Sequence, residues 1–255
     1  MAQKTKIGGT AYTITHGRAK IGGTTYDIGA GKTKIGGTAK DIVFGTVPYK
    51  YQQVAYVEAS SDGPYIVLPI TTQEGLRLEF ECMQVEGSSR TETCRMGFSA
   101  SNNRKQYFTG YKTTSTILSY YGRIYIGSKT ATAESQPLFR RVSGSYEMVN
   151  VVVNFGNYGT TNTASVKVED DSASVSISSA ISFAGNPFYL YSYSTSSARA
   201  GIFGRVTAYN GSGAVIMDLY PVKRKSDNVP GFWDTVSKQF LTNAGSGSFS
   251  VGANV

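Results

Sequence analysis

His16 is the only histidine in the chain, so a His-rich metal site is excluded. A Ser-His-Asp triad is implausible, because His16 sits at a turn within N-terminal repeats. Paired carboxylates are the remaining route to hydrolysis, and Glu79 and Glu81 stand two apart on one strand face. Such a pair can serve glycoside hydrolysis, but it describes a solvated strand face equally well, and that is the reading taken. Glu169-Asp170-Asp171 offers oxygens of the kind calcium takes; a solvated acidic turn is the simpler account. Cys82 and Cys94 lie 12 residues apart, and a bridge across a hairpin and two reduced, buried thiols both stay open. Lys223-Arg224-Lys225 lacks the interleaved aromatics that a nucleic-acid surface needs. No catalytic residue, metal ligand or cofactor is assigned, and the chain is expected not to be an enzyme.

Tyrosine is the informative excess, with 18 residues against a single tryptophan. Tyr107, Tyr111, Tyr120, Tyr121, Tyr125, Tyr158, Tyr189, Tyr191 and Tyr193 cluster in the middle region. Tyr189, Tyr191 and Tyr193 alternate, which places them on one sheet face if the strand runs through. Exposed, such a row stacks on sugar rings or forms a protein interface; buried, it is core. These three, with Tyr158 in the Gly156-Asn157-Tyr158-Gly159 turn, are the candidate ligand-binding residues. Trp233 reads as packing.

The elements that position these residues begin with a repeat. Three 14-residue units align without a gap over residues 4–45, each carrying Lys-Ile-Gly-Gly-Thr at the same offset: Lys6–Thr10, Lys20–Thr24 and Lys34–Thr38. Gly-Gly between two strand-like runs suits a two-residue turn with positive φ at both positions. Ile7 is then expected opposite Thr10, and Thr5 opposite Tyr12. A phosphate cradle is not expected, since the Gly-x-x-x-x-Gly-Lys-Ser/Thr pattern and a following helix are both missing. A hairpin with arms of about five residues does not fold alone. Residues 1–46 are therefore read as a docking or oligomerisation segment, with Ile7, Tyr12, Ile14, Ile21, Tyr26, Ile28, Ile35 and Ile42 as its apolar contacts.

Residues 1–50 hold eight cationic side chains against Asp27 and Asp41, most of the chain's net charge of +8. A basic array can meet a polyanion or an acidic protein; lysines that block edge-to-edge pairing of strands are the preferred reading. From residue 47 to 255, strand-like runs alternate with turn signals. Leu76–Phe80 and Ser165–Val168 show period two, as half-buried antiparallel strands do. Twelve or so strands are expected: near 53–59, 65–70, 76–85, 93–99, 106–111, 116–126, 146–155, 163–168, 173–177, 188–193, 202–209 and 215–220. One short helical candidate lies at 233–239. The expected architecture is all-β: a hairpin array followed by an antiparallel two-sheet jelly roll. No run approaches about 18 apolar residues, so no membrane insertion is expected. Met1-Ala2-Gln3-Lys4 opens no apolar segment, so no secretory signal is expected.

The residues also carry a resemblance. Tyr65–Ile70 followed by Leu76–Phe80 resembles the opening strands of laminin-G-like, concanavalin A-like domains found in proteins of phages and prophages. The closing stretch is more specific. Gly204–Tyr209 leads to Met217–Lys223, then Val229–Val236, then Gln239–Phe249 with Asn243-Ala244-Gly245-Ser246-Gly247. It departs from the family's pattern at Pro230 and at Phe232-Trp233, where Leu-Tyr is usual. The Gly-Gly units resemble N-terminal hairpins of small phage structural proteins. The resemblance implies a virion structural protein on a tail, fibre or capsid. Its partners would be other virion proteins in a multicopy or homo-oligomeric arrangement, with a bacterial surface glycan as ligand and no nucleic acid. The alternative is a secreted bacterial carbohydrate-binding module with no virion role.

Overall fold

The computed structural model describes residues 3–7, 10–14, 17–21, 24–28, 30–35, 38–43, 46–48, 50–85, 92–101, 104–112, 120–138, 140–142, 145–157, 162–177 and 184–255, the first six segments by backbone alone. Every regular element among them is a strand. No helix there is long and apolar enough to cross a membrane.

The repeats give β1 (Gln3–Ile7), β2 (Thr10–Ile14), β3 (Gly17–Ile21), β4 (Thr24–Ile28), β5 (Ala30–Ile35) and β6 (Thr38–Val43). Each consecutive pair is an antiparallel hairpin in the expected register, with Thr5 opposite Tyr12 and Ile7 opposite Thr10. Ile21 faces Thr24 and Ile35 faces Thr38 in the same way. The three hairpins are three separate two-stranded sheets. All eight apolar docking candidates lie on these strands. Gly8-Gly9, Gly22-Gly23 and Gly36-Gly37, expected at the turns, lie outside the described residues, as does His16.

Two antiparallel sheets follow, packed face to face. The larger uses β7 (Tyr51–Gln53), β8 (Val57–Ala59), β10 (Arg77–Met83), β17 (Val149–Asn154), β18 (Asn162–Val168), β19 (Asp171–Ile177), β21 (Gly201–Tyr209), β22 (Val215–Arg224), β23 (Pro230–Asp234), β24 (Gln239–Leu241) and β25 (Ser250–Val251). Its main path runs β19-β18-β17-β10-β21-β22-β23-β24. The smaller uses β9 (Ile66–Thr71), β11 (Glu92–Ser101), β12 (Arg104–Lys112), β13 (Tyr120–Ile126), β14 (Lys129–Pro137) and β20 (Pro187–Leu190), in the order β14-β13-β12-β11-β20-β9. A short hairpin, β15 (Arg140–Val142) and β16 (Ser145–Glu147), stands apart from both. The chain passes from β9 to β10 to β11 across the sandwich, and back from β20 to β21 beside them. That crossing of paired strands between two sheets is jelly-roll wrapping.

Alternation builds the core. In β9, Ile66, Leu68 and Ile70 are buried while Val67, Pro69 and Thr71 are exposed. In β10, Leu78, Phe80 and Cys82 point inward and Arg77, Glu79 and Glu81 outward. Phe80 meets Phe108 edge-on at 5.0 Å from the opposite sheet. β9 is a sheet edge, and Pro69 there removes a donor that another strand would pair with. Cys82 and Cys94 are free, fully buried thiols on opposite sheets, within hydrogen-bonding reach of each other. Burial pushes the Cys82 thiol well up.

Four expectations change; the run at 146–155 is two strands, β16 on β15 and β17 between β10 and β18. The run at 53–59 is two strands, β7 on β22 and β8 on β21, with Val54 bridging to Asn254 between them. The helical candidate at 233–239 is the end of β23, a turn and the start of β24. Buried Asp234 makes that turn: its carboxylate accepts the Val236 and Ser237 amides at 3.1 and 3.0 Å and the Asp218 amide at 2.9 Å. A short acidic side chain that binds nearby backbone favours a turn over a helix. The fourth change, at 188–193, concerns the site. Where the sandwich begins, Tyr51 lies between Trp233 and Phe240, ring centroids 5.3 and 4.9 Å away. This satellite core also holds Val222 and takes Val47 from the connector. Trp233 is thus packing. Trp233→Ala is expected to destabilise the sandwich by about 3 kcal/mol, read as a lower urea midpoint; an unchanged midpoint would show that the clamp contributes nothing.

Candidate functional site

The expected tyrosine row is not continuous. β20 ends at Leu190, and Tyr191 has φ +66, a left-handed backbone that breaks the alternation on which a shared face depends. Tyr191 is fully buried between the sheets. Its phenol donates to the Val57 carbonyl at 2.6 Å, and its ring meets Phe203 and Phe249 at 5.0 and 4.8 Å. It cannot stack on a ligand. Tyr189 lies on the opposite, outer face of β20, nearly covered, with its ring against Tyr65 at 5.8 Å. Beyond the kink, the Tyr193 carbonyl accepts the Ser99 amide at 2.9 Å, and its ring lies on Tyr107 at 4.6 Å. Tyr158 lies outside the described residues.

The structure assembles a different row, on the outer face of the smaller sheet. Phe108, Ile124 and Met96 face the core, so Tyr107, Arg123, Tyr125 and Arg95, one position away, face outward. Tyr107 pairs with Tyr125 in register, the rings stacked at 4.5 Å and 13°. A β-bulge in β11 brings Arg95 to this face. Between Thr93 and Met96 two residues, Cys94 and Arg95, oppose the single Thr109 of β12, and Cys94 takes φ +48; a bulge of this kind re-aims a side chain. Arg95 pairs with Glu92, donates to the Ser197 carbonyl at 2.7 Å and lies over the Tyr193 ring at 4.3 Å. Lys105 sits 5.3 Å over Tyr125, and Arg123 sits 3.4 Å over Tyr111. The stack reads Arg95, Tyr193, Tyr107, Tyr125, Lys105. Gly97, paired with both Tyr107 and Tyr189, leaves room for it: a Cβ there would meet Tyr107 at 2.3 Å.

Next to this row, at one end of the sandwich, lies a polar cavity of about 360 Å³. Its wall includes Asp62, Tyr65, Thr195, Ser196, Arg199 and Ser246. Arg199 pairs with Asp62 at 3.4 Å, both about one quarter exposed. Asn243 shapes the opposite wall: its side-chain oxygen accepts the Tyr65 and Gly245 amides at 3.1 and 2.9 Å, and its amide donates to Gly247 at 2.9 Å. Gly245 approaches so closely that a Cβ would lie 2.2 Å from the Gly63 carbonyl. The loop that follows Tyr191 therefore serves two surfaces. Thr195, Ser196 and Arg199 line the cavity, while Tyr193 and the Ser197 carbonyl join the ring stack. Of the tyrosines singled out in the sequence, Tyr189 and Tyr193 border this region. Asp62, Tyr65 and Arg199 carried no signal in the sequence.

The other candidates are structural in their contacts. Glu79 pairs with Arg77 and accepts the Tyr209 phenol at 2.9 Å, and Glu81 accepts the Arg205 amide at 3.3 Å, both on the outer face of the larger sheet. Glu169, in the β18–β19 turn, ties that turn to β17: its carboxylate accepts the Asn150 amide at 2.8 Å. Arg224 is held by Asp227 at 2.6 Å. Among the described residues no group of three His, Cys, Asp or Glu is placed to hold a metal ion. No protein-family model matches this chain, and no curated protein matches it.

Two measurements check this geometry. Tyr191→Phe leaves the Val57 carbonyl without its phenol donor and is expected to cost about 1–3 kcal/mol, seen as a lower urea midpoint; a neutral change would remove the anchor role. Burial pushes the phenols of Tyr107, Tyr125 and Tyr191 above the ordinary tyrosine value. As pH rises, the unfolded chain releases these protons before the folded chain does. The stability they confer is therefore whole below about pH 10 and declines above it. A urea midpoint that rises on passing above about pH 10 would contradict this assignment.

Proposed function

We propose that this chain is a bacteriophage virion structural protein whose sandwich adheres to glycans on a bacterial surface, with the hairpin array as its attachment segment. One observation carries the glycan reading: the end cavity combines an aromatic wall, an ion pair and several hydroxyls. Tyr65 supplies the apolar ring face on which a sugar packs. Asp62 and Arg199 offer an acceptor and donors for sugar hydroxyls, and Ser196, Ser246 and Thr195 offer both. Tyr189, edge-on to Tyr65, fixes the orientation of that ring rather than touching the ligand. The virion reading rests on the gapless repeats and on the resemblance of both parts of the chain to phage structural proteins. Many copies on one particle multiply a weak single-site affinity.

The test uses the full chain, displayed on a multivalent bead, against host cells and a panel of bacterial surface polysaccharides. Binding is expected, and Tyr65→Ala is expected to lower it about five- to tenfold by removing one aromatic contact. Lack of binding to cells and to every polysaccharide would overturn the adhesion reading. Deleting residues 1–46 is expected to abolish incorporation into particles while leaving polysaccharide binding intact. Normal incorporation of the truncated chain would overturn the attachment role.

A further inference from the structure

The ring stack on the smaller sheet has a chemistry of its own. The faces of Tyr193, Tyr107 and Tyr125 are taken up by one another, and Arg95 and Lys105 close the two ends. A planar ligand finds no free ring face in this row. What this face presents outward is the half-exposed Tyr125 and Tyr193 with Lys105 and Arg123; Tyr107 and Arg95 are buried beneath them. A tyrosine phenol is protonated, and so a donor, throughout the physiological range, and burial raises that of Tyr125 further. Glu92, the one acid among the described side chains of the row, is paired with Arg95. Arg123 gives its Nε to Thr132 at 2.6 Å and, like Lys105, is half-exposed. Among the described side chains the surface is thus rich in donors and carries excess positive charge, and it begins beside the cavity at the Tyr193–Arg199 loop.

We propose that this face binds the acidic groups of a uronate-bearing polysaccharide, with Lys105 and Arg123 as the charge contacts and the half-exposed Tyr125 and Tyr193 as hydroxyl donors. The inference rests on the glycan-adhesion reading and names the ligand class. Charge complementarity selects the acidic chain over a neutral one. The capped ring faces select it over a single-stranded nucleic acid, which depends on stacking its bases on open aromatic faces.

The experiment measures retention of the bead-displayed full chain on polygalacturonate, on neutral dextran and on oligo(dT) across a salt series. Polygalacturonate is expected to bind best, with retention falling as salt rises. Lys105→Gln with Arg123→Gln is expected to lower that binding about tenfold and flatten its salt dependence, while the conservative pair Lys105→Arg and Arg123→Lys retains it. Circular dichroism of each variant distinguishes lost contacts from lost fold. Polygalacturonate binding that is insensitive to salt, or unchanged in the folded Gln variant, would overturn the inference. So would stronger binding to oligo(dT). Binding to dextran or to host cells alone would overturn it while leaving adhesion standing. Absence of binding to every polysaccharide and to cells would overturn both.

Discussion

The sandwich turns on the burial of Tyr191. A tyrosine phenol enters an apolar interior only with a hydrogen-bond partner, and the Val57 carbonyl supplies it at 2.6 Å. At this residue the backbone leaves the extended region, with φ +66. The kink ends β20 in the smaller sheet and starts the loop that returns the chain to β21 in the larger one. Cys94, at the corresponding crossing from β10 to β11, is also left-handed, and its amide donates to the Ala200 carbonyl at 3.0 Å. The two crossings are thereby tied to each other. A left-handed non-glycine residue costs of order 1 kcal/mol or more. The surrounding packing of Phe203, Phe249 and Cys82 offsets that cost.

From this constraint the ring stack and the end cavity follow. The loop released at Tyr191 runs through Tyr193 to Arg199, placing one ring on the Tyr107 stack and several polar side chains around the end cavity. The bulge at Cys94 turns Arg95 outward, where its guanidinium holds the same loop through the Ser197 carbonyl. The outer face of the larger sheet is different in kind. There Arg205 is held by both oxygens of Asp218 at 2.9 and 3.1 Å, Thr207 and Thr235 add hydroxyl donors to the same carboxylate, and Glu79 and Glu81 are engaged. There Arg77 with Glu79 and Arg205 with Asp218 are paired within the sheet, whereas the smaller sheet shows donors to solvent. Half-exposed ion pairs of this kind contribute modestly to stability.

Much of the scaffold was legible before folding was considered. The offset of Lys-Ile-Gly-Gly-Thr gives the hairpin register at Ile7 and Thr10, because a two-residue turn leaves no other pairing. Alternation in Leu76–Phe80 gives the inward positions of β10. The site was far less legible. Tyr189, Tyr191 and Tyr193 obey period two in the chain, but the period holds only while the backbone stays extended, and it does not past Leu190. Asp62, Tyr65, Arg199 and Ser246 are scattered over about 185 residues of sequence, and no local pattern links them. The Trp233–Gln239 stretch is a helical candidate by its local pattern alone, but the Asp234 carboxylate hydrogen-bonds nearby backbone and makes a turn.

What the sequence by itself determined is the local geometry: all-β character, the three hairpins, and the inward and outward faces of single strands. These depend on neighbours within a few residues, through turn chemistry and the two-residue period of the strand. The tertiary structure alone decided which outward residues become neighbours. Tyr107 and Tyr125 touch because β12 and β13 pair in one register of several possible, and Tyr193 joins them only through the kink. The cavity exists because loops at residues 62–65, 195–199 and 243–247 end at the same pole of two packed sheets. Such proximity is set by burial of the whole core, a property of the folded chain and of no segment within it.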